Sequence, residues 1–115
     1  MSKASDLTNQ IIDHIYKHRG YAWRASSVGI YDQQKHSFRT SPKKGVSDIL
    51  ACHQSFLVAI EVKIGKDKLR PEQEGFLRNV ENVGGITMIV KTFDDFKKQW
   101  SEYLKLRYTI DMELS

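Results

Sequence analysis

The run Phe56-Leu57-Val58-Ala59-Ile60-Glu61-Val62-Lys63 is nearly continuous in apolar residues until its last three positions. A segment of this length and β-branched content reads as a strand buried on both faces, and such a strand needs a covering layer on each side. It also restricts where charge can sit. Period-two alternation places Leu57, Ala59, Glu61 and Lys63 on one face, with Val62 turned into the opposite layer. A carboxylate or an ammonium group in an apolar layer is costly unless it is paired or bound to metal. Two readings follow from the strand alone: an ordinary surface pair at a fraying end, or an active site.

The segments around it set the fold class. Leu7, Ile11, Ile12 and Ile15 recur at helical spacing and Gly20 follows, which predicts an amphipathic helix over 5–19. Its polar face carries Asp6, Gln10 and Asp13. The aromatic and β-branched stretch from Tyr21 to Tyr31 predicts a strand weakened at Gly29. Asp32 to Lys44 is polar and basic, with Pro42, and reads as a loop with an extended piece around Phe38. Val46 to Ala51 is a short strand with Val46, Asp48 and Leu50 on one face and Ser47, Ile49 and Ala51 on the other. Cys52 to Ser55 is a turn. Pro71 suits the first position of a helix whose inner face is Phe76, Leu77, Val80 and Val83, ended by Gly84-Gly85. Gln73 shares that inner face at its first turn. Ile86 to Val90 is another buried strand. Thr92 and Asp95 form a capping box for a last helix packed through Phe96, Trp100, Tyr103 and Leu104. The tail from Thr109 carries no pattern. The order is helix, strand, strand, strand, helix, strand, helix: a single α/β domain over 1–115, with a small mixed sheet flanked by helices.

Asp48 brings a second carboxylate toward Glu61. Two carboxylates and the Val62 backbone carbonyl suit Mg²⁺ or Mn²⁺, which prefer oxygen ligands. Lys63 beside such an ion is placed to orient or deprotonate a water and to stabilise developing negative charge. Gln73 adds a neutral polar contact. Lys43, Lys44, Lys66, Lys68 and Arg70 surround this set and suit phosphates. Acids inside a basic rim make sense when the substrate is a phosphodiester and the acids hold its metal. The net charge of +4 and pI near 9.2 are compatible with a polyanionic partner without requiring one. The single cysteine, Cys52, excludes an intrachain disulfide and fits a reducing compartment. The N-terminus lacks the apolar core of a secretory signal, and no apolar run approaches the length of a membrane span. A cytoplasmic protein with no membrane partner is expected.

Asp48 followed downstream by Glu61-Val62-Lys63 resembles the PD-(D/E)xK nuclease pattern. More specifically, Gly45-Val46-Ser47-Asp48-Ile49-Leu50, Ala59-Ile60-Glu61-Val62-Lys63, Leu69-Arg70-Pro71-Glu72-Gln73 and Gly84-Gly85 resemble the VRR-NUC family. Trp23-Arg24 with Val28-Gly29 is similar to that family's early strand. The resemblance spans about Tyr21 to Phe96. It implies a restriction-endonuclease-like core and a Mg²⁺-dependent DNA endonuclease, with Mn²⁺ as a substitute. Asp48 and Glu61 become metal ligands with the Val62 carbonyl. Lys63 becomes the catalytic lysine and Gln73 an active-site helper. Arg24 joins the DNA-contacting set with Lys43, Lys44, Lys66, Lys68 and Arg70. Small stand-alone members, many from phages, resemble Holliday-junction resolvases and are expected to act as homodimers on four-way junctions; a phage or bacterial origin follows from the same likeness. Two departures stand out. Ser47 replaces the proline of the motif. Relatives often carry a Glu on the first helix that joins the metal site, whereas no Glu precedes Glu61 here; Asp6 is the substitute by position, Asp13 the next, and Gln10 also approaches.

Other residues have competing readings. His14 and His18, at i and i+4, are a zinc pair without an evident third ligand or a solvated helix face. Cys52-His53 lacks a second ligand pair. Ser26-Ser27 lacks an activating context. Tyr21 and Trp23 either stack on bases or, as is commoner for aromatics in an early strand, join the core. At the level of function, a flap, replication-fork or duplex nuclease is the alternative within the class. Outside it stand a DNA-binding module that keeps a nuclease fold, and a structural subunit.

Overall fold

A computed structural model describes residues 2–26, 30–32, 37–39 and 44–114, with backbone alone for 30–32 and 37–39. Lys43 and the Ser27-Val28-Gly29 part of the early strand lie outside the described residues. The elements are α1 (Lys3–Lys17), β1 (Tyr21–Arg24), β2 (Ile30–Asp32), β3 (Ser37–Arg39), β4 (Ile49–His53), β5 (Phe56–Val62), α2 (Pro71–Asn82), β6 (Ile86–Val90) and α3 (Phe93–Leu114). The main sheet is four-stranded and mixed, in the order β1-β4-β5-β6, and β2 pairs with β3 in a separate two-stranded sheet. Strands β1, β4 and β5 are antiparallel neighbours, while β6 runs parallel to β5 after the α2 crossover. Among the described residues no helix is long and apolar enough to cross a membrane.

The doubly buried strand forces two covering layers. Val58, Ile60 and Val62 of β5 face the larger core, where Leu7, Ile11 and Ile15 of α1 meet Phe96, Trp100 and Tyr103 of α3. Ala59, on the other face, meets Leu77 and Val80 of α2, with Leu50, Leu69 and Phe76 packed around them. The result is helices, sheet, helix. α1 begins at Ser2, whose hydroxyl accepts from Ser5 N–H, as expected of an N-cap serine. α2 begins with Pro71 at its first position, where the missing N–H leaves nothing unsatisfied. Before α3, Thr92 Oγ1 accepts from Asp95 N–H at 3.0 Å, and Asp95 Oδ2 accepts from Lys91 N–H at 3.2 Å. The reciprocal cap therefore reaches one residue further back than the expected box.

Several boundaries differ from the sequence reading. The early strand is split: β1 ends at Arg24, and the chain re-enters strand at Ile30 as half of the β2–β3 pair, whose second strand is the extended piece expected around Phe38. β4 starts at Ile49 rather than Val46 and runs through His53, so the turn shrinks to Gln54-Ser55. Both have positive φ, 46° and 80°, as a two-residue hairpin turn matched to strand twist requires. His53 prolongs the strand because its side chain is buried against α3, with Nδ1 2.9 Å from Tyr103 Oη. Finally, α3 continues through the unpatterned tail to Leu114, while Leu104 is half-exposed rather than part of the packing stripe.

Register arranges the α2 face of the sheet in rows. Tyr21 is opposite Cys52 and Cys52 opposite Leu57; Trp23 is opposite Leu50, Leu50 opposite Ala59, and Ala59 opposite Thr87. One row further, beyond the last paired residues Ile49 and Ile60, stand Asp48 and Glu61. Ala25 N–H donates to the Asp48 carbonyl at 2.9 Å and continues the β1–β4 ladder to this row.

The approach to Asp48 is fixed by Gly45. Its φ is +77°, and a Cβ there would lie 2.0 Å from the carbonyl oxygen of Glu72 in the first turn of α2. The backbone entering Asp48 is thus pressed against the turn that carries Gln73. Gly45→Ala is expected to cost more than about 2 kcal/mol through combined strain and clash. Gly65→Ala, at φ +62° with open space around the added carbon, is expected to cost only about 1 kcal/mol. Urea denaturation of the two variants measures the difference.

Candidate active site

Asp48 and Glu61 come together because two adjacent strands present them in the same row of one sheet face. The two carboxyl groups nevertheless have different surroundings. Asp48 is half-buried, and its Oδ2 accepts from Val62 N–H at 2.8 Å. That bond aims the carboxylate across the end of β5. Glu61 is fully buried. Its Oε1 accepts from Gln73 Nε2 at 3.1 Å, and its Oε2 has no hydrogen-bond partner among the described residues. Gln73 is fixed in turn, since its Oε1 accepts from Arg70 N–H at 3.0 Å. The amide is therefore held at both ends and presents its NH₂ to Glu61.

Burial, with the neighbouring Asp48 carboxyl adding to it, pushes the Glu61 carboxyl up to about 8; Lys63 and Arg70 pull it down by less. Desolvation and a like charge act in the same direction on an acid. The site binds a proton where it lacks another positive charge. Two carboxyls, one with a buried unpartnered oxygen and the other open to a cleft, fit a hard divalent cation that takes oxygen ligands and retains waters.

Two clefts meet at Asp48. One, of about 450 Å³, is lined by Ser26, Asp48, Val62, Lys63, Asp67, Lys68, Arg70 and Gln73. The other, of about 260 Å³, lies on the α1 side, with Ser5, Thr8, Arg24 and Ser26 beside Asp48 and Val62. Arg24 is braced in place: its Nη2 donates to Ser5 O, Ser5 Oγ and Asn9 Oδ1 at 2.8 to 3.1 Å. Arg70 is ion-paired to Glu72 at 3.5 Å on the exposed rim.

The sequence-predicted residues divide accordingly. Asp48, Glu61, Lys63, Val62 and Gln73 converge, and Arg24, Lys68 and Arg70 line the clefts. Lys44 and Lys66 are exposed and line neither. Asp6 and Gln10 also point to solvent, and the part of α1 that borders the cleft carries Ser2, Ala4, Ser5 and Thr8 instead. The helical angle explains this: the residues flanking Asp48 must be neighbours of the buried Leu7, Thr8 and Ile11 stripe, and Asp6 and Gln10 lie away from it. Asp67 is a cleft residue that sequence reasoning missed, because it sits inside the basic string Lys66 to Arg70.

Of the remaining candidates, the two histidines of α1 settle into packing. His14 and His18 stack at 4.0 Å, and His14 meets Phe93, Phe96 and Trp100 edge-on, so the pair joins α1 to α3. Burial first, and then His18, lower the pKa of His14. Cys52 is exposed while His53 beside it is buried. Tyr21 and Trp23 are not core residues: they are 61% and 39% exposed. Compared with protein-family models, with curated proteins and with solved structures, the chain finds no match.

The raised pKa gives a stability signature. The folded state binds the Glu61 proton more tightly than the unfolded chain does, so this contribution is complete below about 4.5 and is lost as pH rises through about 8. In chelator, the melting temperature of the wild type should fall across that window, while Glu61→Gln removes this component of the slope and melts a few degrees higher at the alkaline end. Adding Mg²⁺ should raise the wild-type melting temperature there by binding the folded state alone, with little effect on Asp48→Ala. Differential scanning calorimetry at matched ionic strength measures both.

Proposed function

We propose that this protein is a divalent-metal-dependent, structure-selective DNA endonuclease of the Holliday-junction resolvase type, built on a PD-(D/E)xK core. The observation that carries the reading is the paired row of Asp48 and Glu61: the buried Oε2 of Glu61 has no hydrogen-bond partner among the described residues, and Asp48 beside it lines two clefts, one bordered by Arg24 and the other by Lys63, Lys68 and Arg70. A binding module has no use for a carboxylate pair, one member half-buried and the other buried, under a basic surface, because the acids would repel the phosphates that the rim attracts. The sheet order, with the acids at the β4–β5 ends and a helical crossover delivering Gln73, supports the same core. So does the resemblance of the segments around Asp48, Glu61 and Pro71 to VRR-NUC proteins.

Asp48, Glu61 and the Val62 carbonyl are the residues that would hold Mg²⁺ or Mn²⁺. Such an ion supplies Lewis-acid polarisation of the scissile phosphate and lowers the pKa of a bound water. The protein's own residues do the remainder. Gln73 holds Oε1 of Glu61 so that Oε2 stays free. The Val62 N–H orients Asp48. Lys63 positions the attacking water and stabilises charge developing on the phosphate. Arg24 and Arg70, on opposite sides of Asp48, seat the flanking phosphates. The water releases a proton to solvent as its oxygen bonds to phosphorus in line with the departing O3′, the P–O3′ bond breaks, O3′ takes up a proton from solvent, and a 5′-phosphate and 3′-hydroxyl remain. Two opposed strands of a junction require two such sites, which a symmetric homodimer supplies. A reducing cytoplasm is the compartment in which the exposed Cys52 thiol stays free.

Cleavage of a four-way junction, a flap and a linear duplex, each in Mg²⁺, Mn²⁺ and chelator, tests the reading. The wild type should cut the junction in preference and only with metal. Asp48→Ala and Lys63→Ala should each lose on the order of a hundredfold or more in rate. Equal rates on all three substrates would remove the resolvase assignment. Binding without cleavage in every metal condition would remove the enzyme, and full activity in Asp48→Ala would remove the metal site.

A further inference from the structure

The half of the sheet that α2 leaves uncovered presents an aromatic face, and the cleft chemistry does not use it. Tyr21 and Trp23 are cross-strand partners of Cys52 and Leu50, so all four belong to the same sheet face as Asp48 and Glu61. α2 packs over Ala59 and Glu61 on β5, leaving Tyr21, Trp23, Cys52 and Leu57 exposed to solvent. The two rings lie 5.5 Å apart at an interplanar angle of 41°, and Tyr16 of α1 meets Tyr21 edge-on at 5.8 Å. This bracing fixes the rings without hiding them.

We propose that Tyr21 and Trp23 form a stacking platform for unpaired bases of a DNA strand whose phosphate lies in the Asp48 cleft. The proposal rests on the nuclease reading and specifies its substrate: branched DNA whose bases open at the branch point beside the cut. Ala25 is bonded to the Asp48 carbonyl, and Trp23 and Tyr21 lie two and four residues back along the same strand. At about 3.3 Å per residue they stand about 7 and about 13 Å from the acid row, a span that two to four nucleotide steps of about 3.4 Å cover. At the two ends of β1 stand exposed Arg19, just ahead of Tyr21, and Arg24, which turns to the α1 face and reaches the Asp48 cleft from that side. Sheet-borne aromatics next to a basic groove are a sequence-tolerant means of gripping single strands, because every base has a stacking face. A duplex keeps its bases stacked on one another and cannot offer them. A second protein copy fits poorly: among the described residues this patch is four exposed side chains braced by Tyr16, far short of the roughly twenty residues a side that a stable interface uses.

Binding is measured in chelator, where cleavage is absent, by fluorescence anisotropy with a short labelled oligothymidylate and with a blunt duplex. Tyr21→Ala and Trp23→Ala are each expected to weaken oligothymidylate binding about tenfold or more and duplex binding by less than about twofold. Trp100 is buried, so saturation with oligothymidylate should quench emission from Trp23; Trp23→Phe should keep the affinity and lose the quenching. Equal weakening on both probes, unchanged binding in both alanine variants, or no quenching overturns the platform. A change in sedimentation without a change in oligonucleotide affinity also overturns it, in favour of a protein contact. Selective strand binding in a protein that cuts no substrate would remove the nuclease and leave the platform standing.

Discussion

The buried carboxyl of Glu61 is the constraint around which the rest is arranged. A carboxyl at zero exposure is tolerated only when protonated, paired or bound to a cation, and each neighbouring element answers one part of that requirement. β4 supplies Asp48 in the adjacent position, and α2 supplies Gln73 for one oxygen. The loop 63–70 supplies cations at a distance. Among the described residues, no donor is supplied to the second oxygen, and the neighbouring carboxyl of Asp48 is itself an acid. That omission separates the pair from a structural network, in which every buried acceptor is satisfied.

Satisfying Glu61 also dictates the layout of the surrounding backbone. Gln73 can reach the carboxyl only if α2 starts where it does. That start is fixed twice: by Pro71 at the first helical position, and by the contact between Gly45 and the Glu72 carbonyl. The same contact delivers the chain into Asp48. One close approach therefore positions a donor for the buried acid and sets the path of the half-buried one. β1 closes the arrangement from the other side, through the Ala25–Asp48 bond and the tethering of Arg24 to α1.

Much of this was legible in the sequence, for physical reasons specific to each element. The apolar run 56–62 admits only a doubly covered strand, and strict alternation then puts Glu61 and Lys63 on the same side as Asp48. Pro71 and the Phe76, Leu77, Val80 stripe determine α2 and the inward turn of Gln73. Elsewhere the code was weaker. Gln54-Ser55 lacks the Asn-Gly signature of a hairpin turn, so no local signal marks the end of β4. The end of α3 packs little and relies on local contacts, Arg107 with Asp111 and Thr109 Oγ1 with the Lys105 carbonyl, which leave no hydrophobic period to read. The solvent exposure of Tyr21 and Trp23 depends on how far α2 extends across the sheet, a tertiary fact that no local pattern encodes.

The hairpin turn reaches further than its two residues suggest. Asp48 and Glu61 face each other at the open end of a hairpin whose closed end is Gln54-Ser55, and a turn of fixed length sets the register of everything beyond it. Because side chains alternate, a slip of one residue at that turn would rotate the Glu61 carboxyl into the layer of Ile11, Ile15 and Phe96, where nothing can receive it. The turn is clamped from α3: Arg107 donates to the Gln54 carbonyl and lies 5.0 Å over the Phe56 ring. The C-terminal helix, remote from the acids, thereby acts as the reading-frame lock of the site, and the geometry of the two carboxyls is inherited from a guanidinium at the opposite end of the sheet.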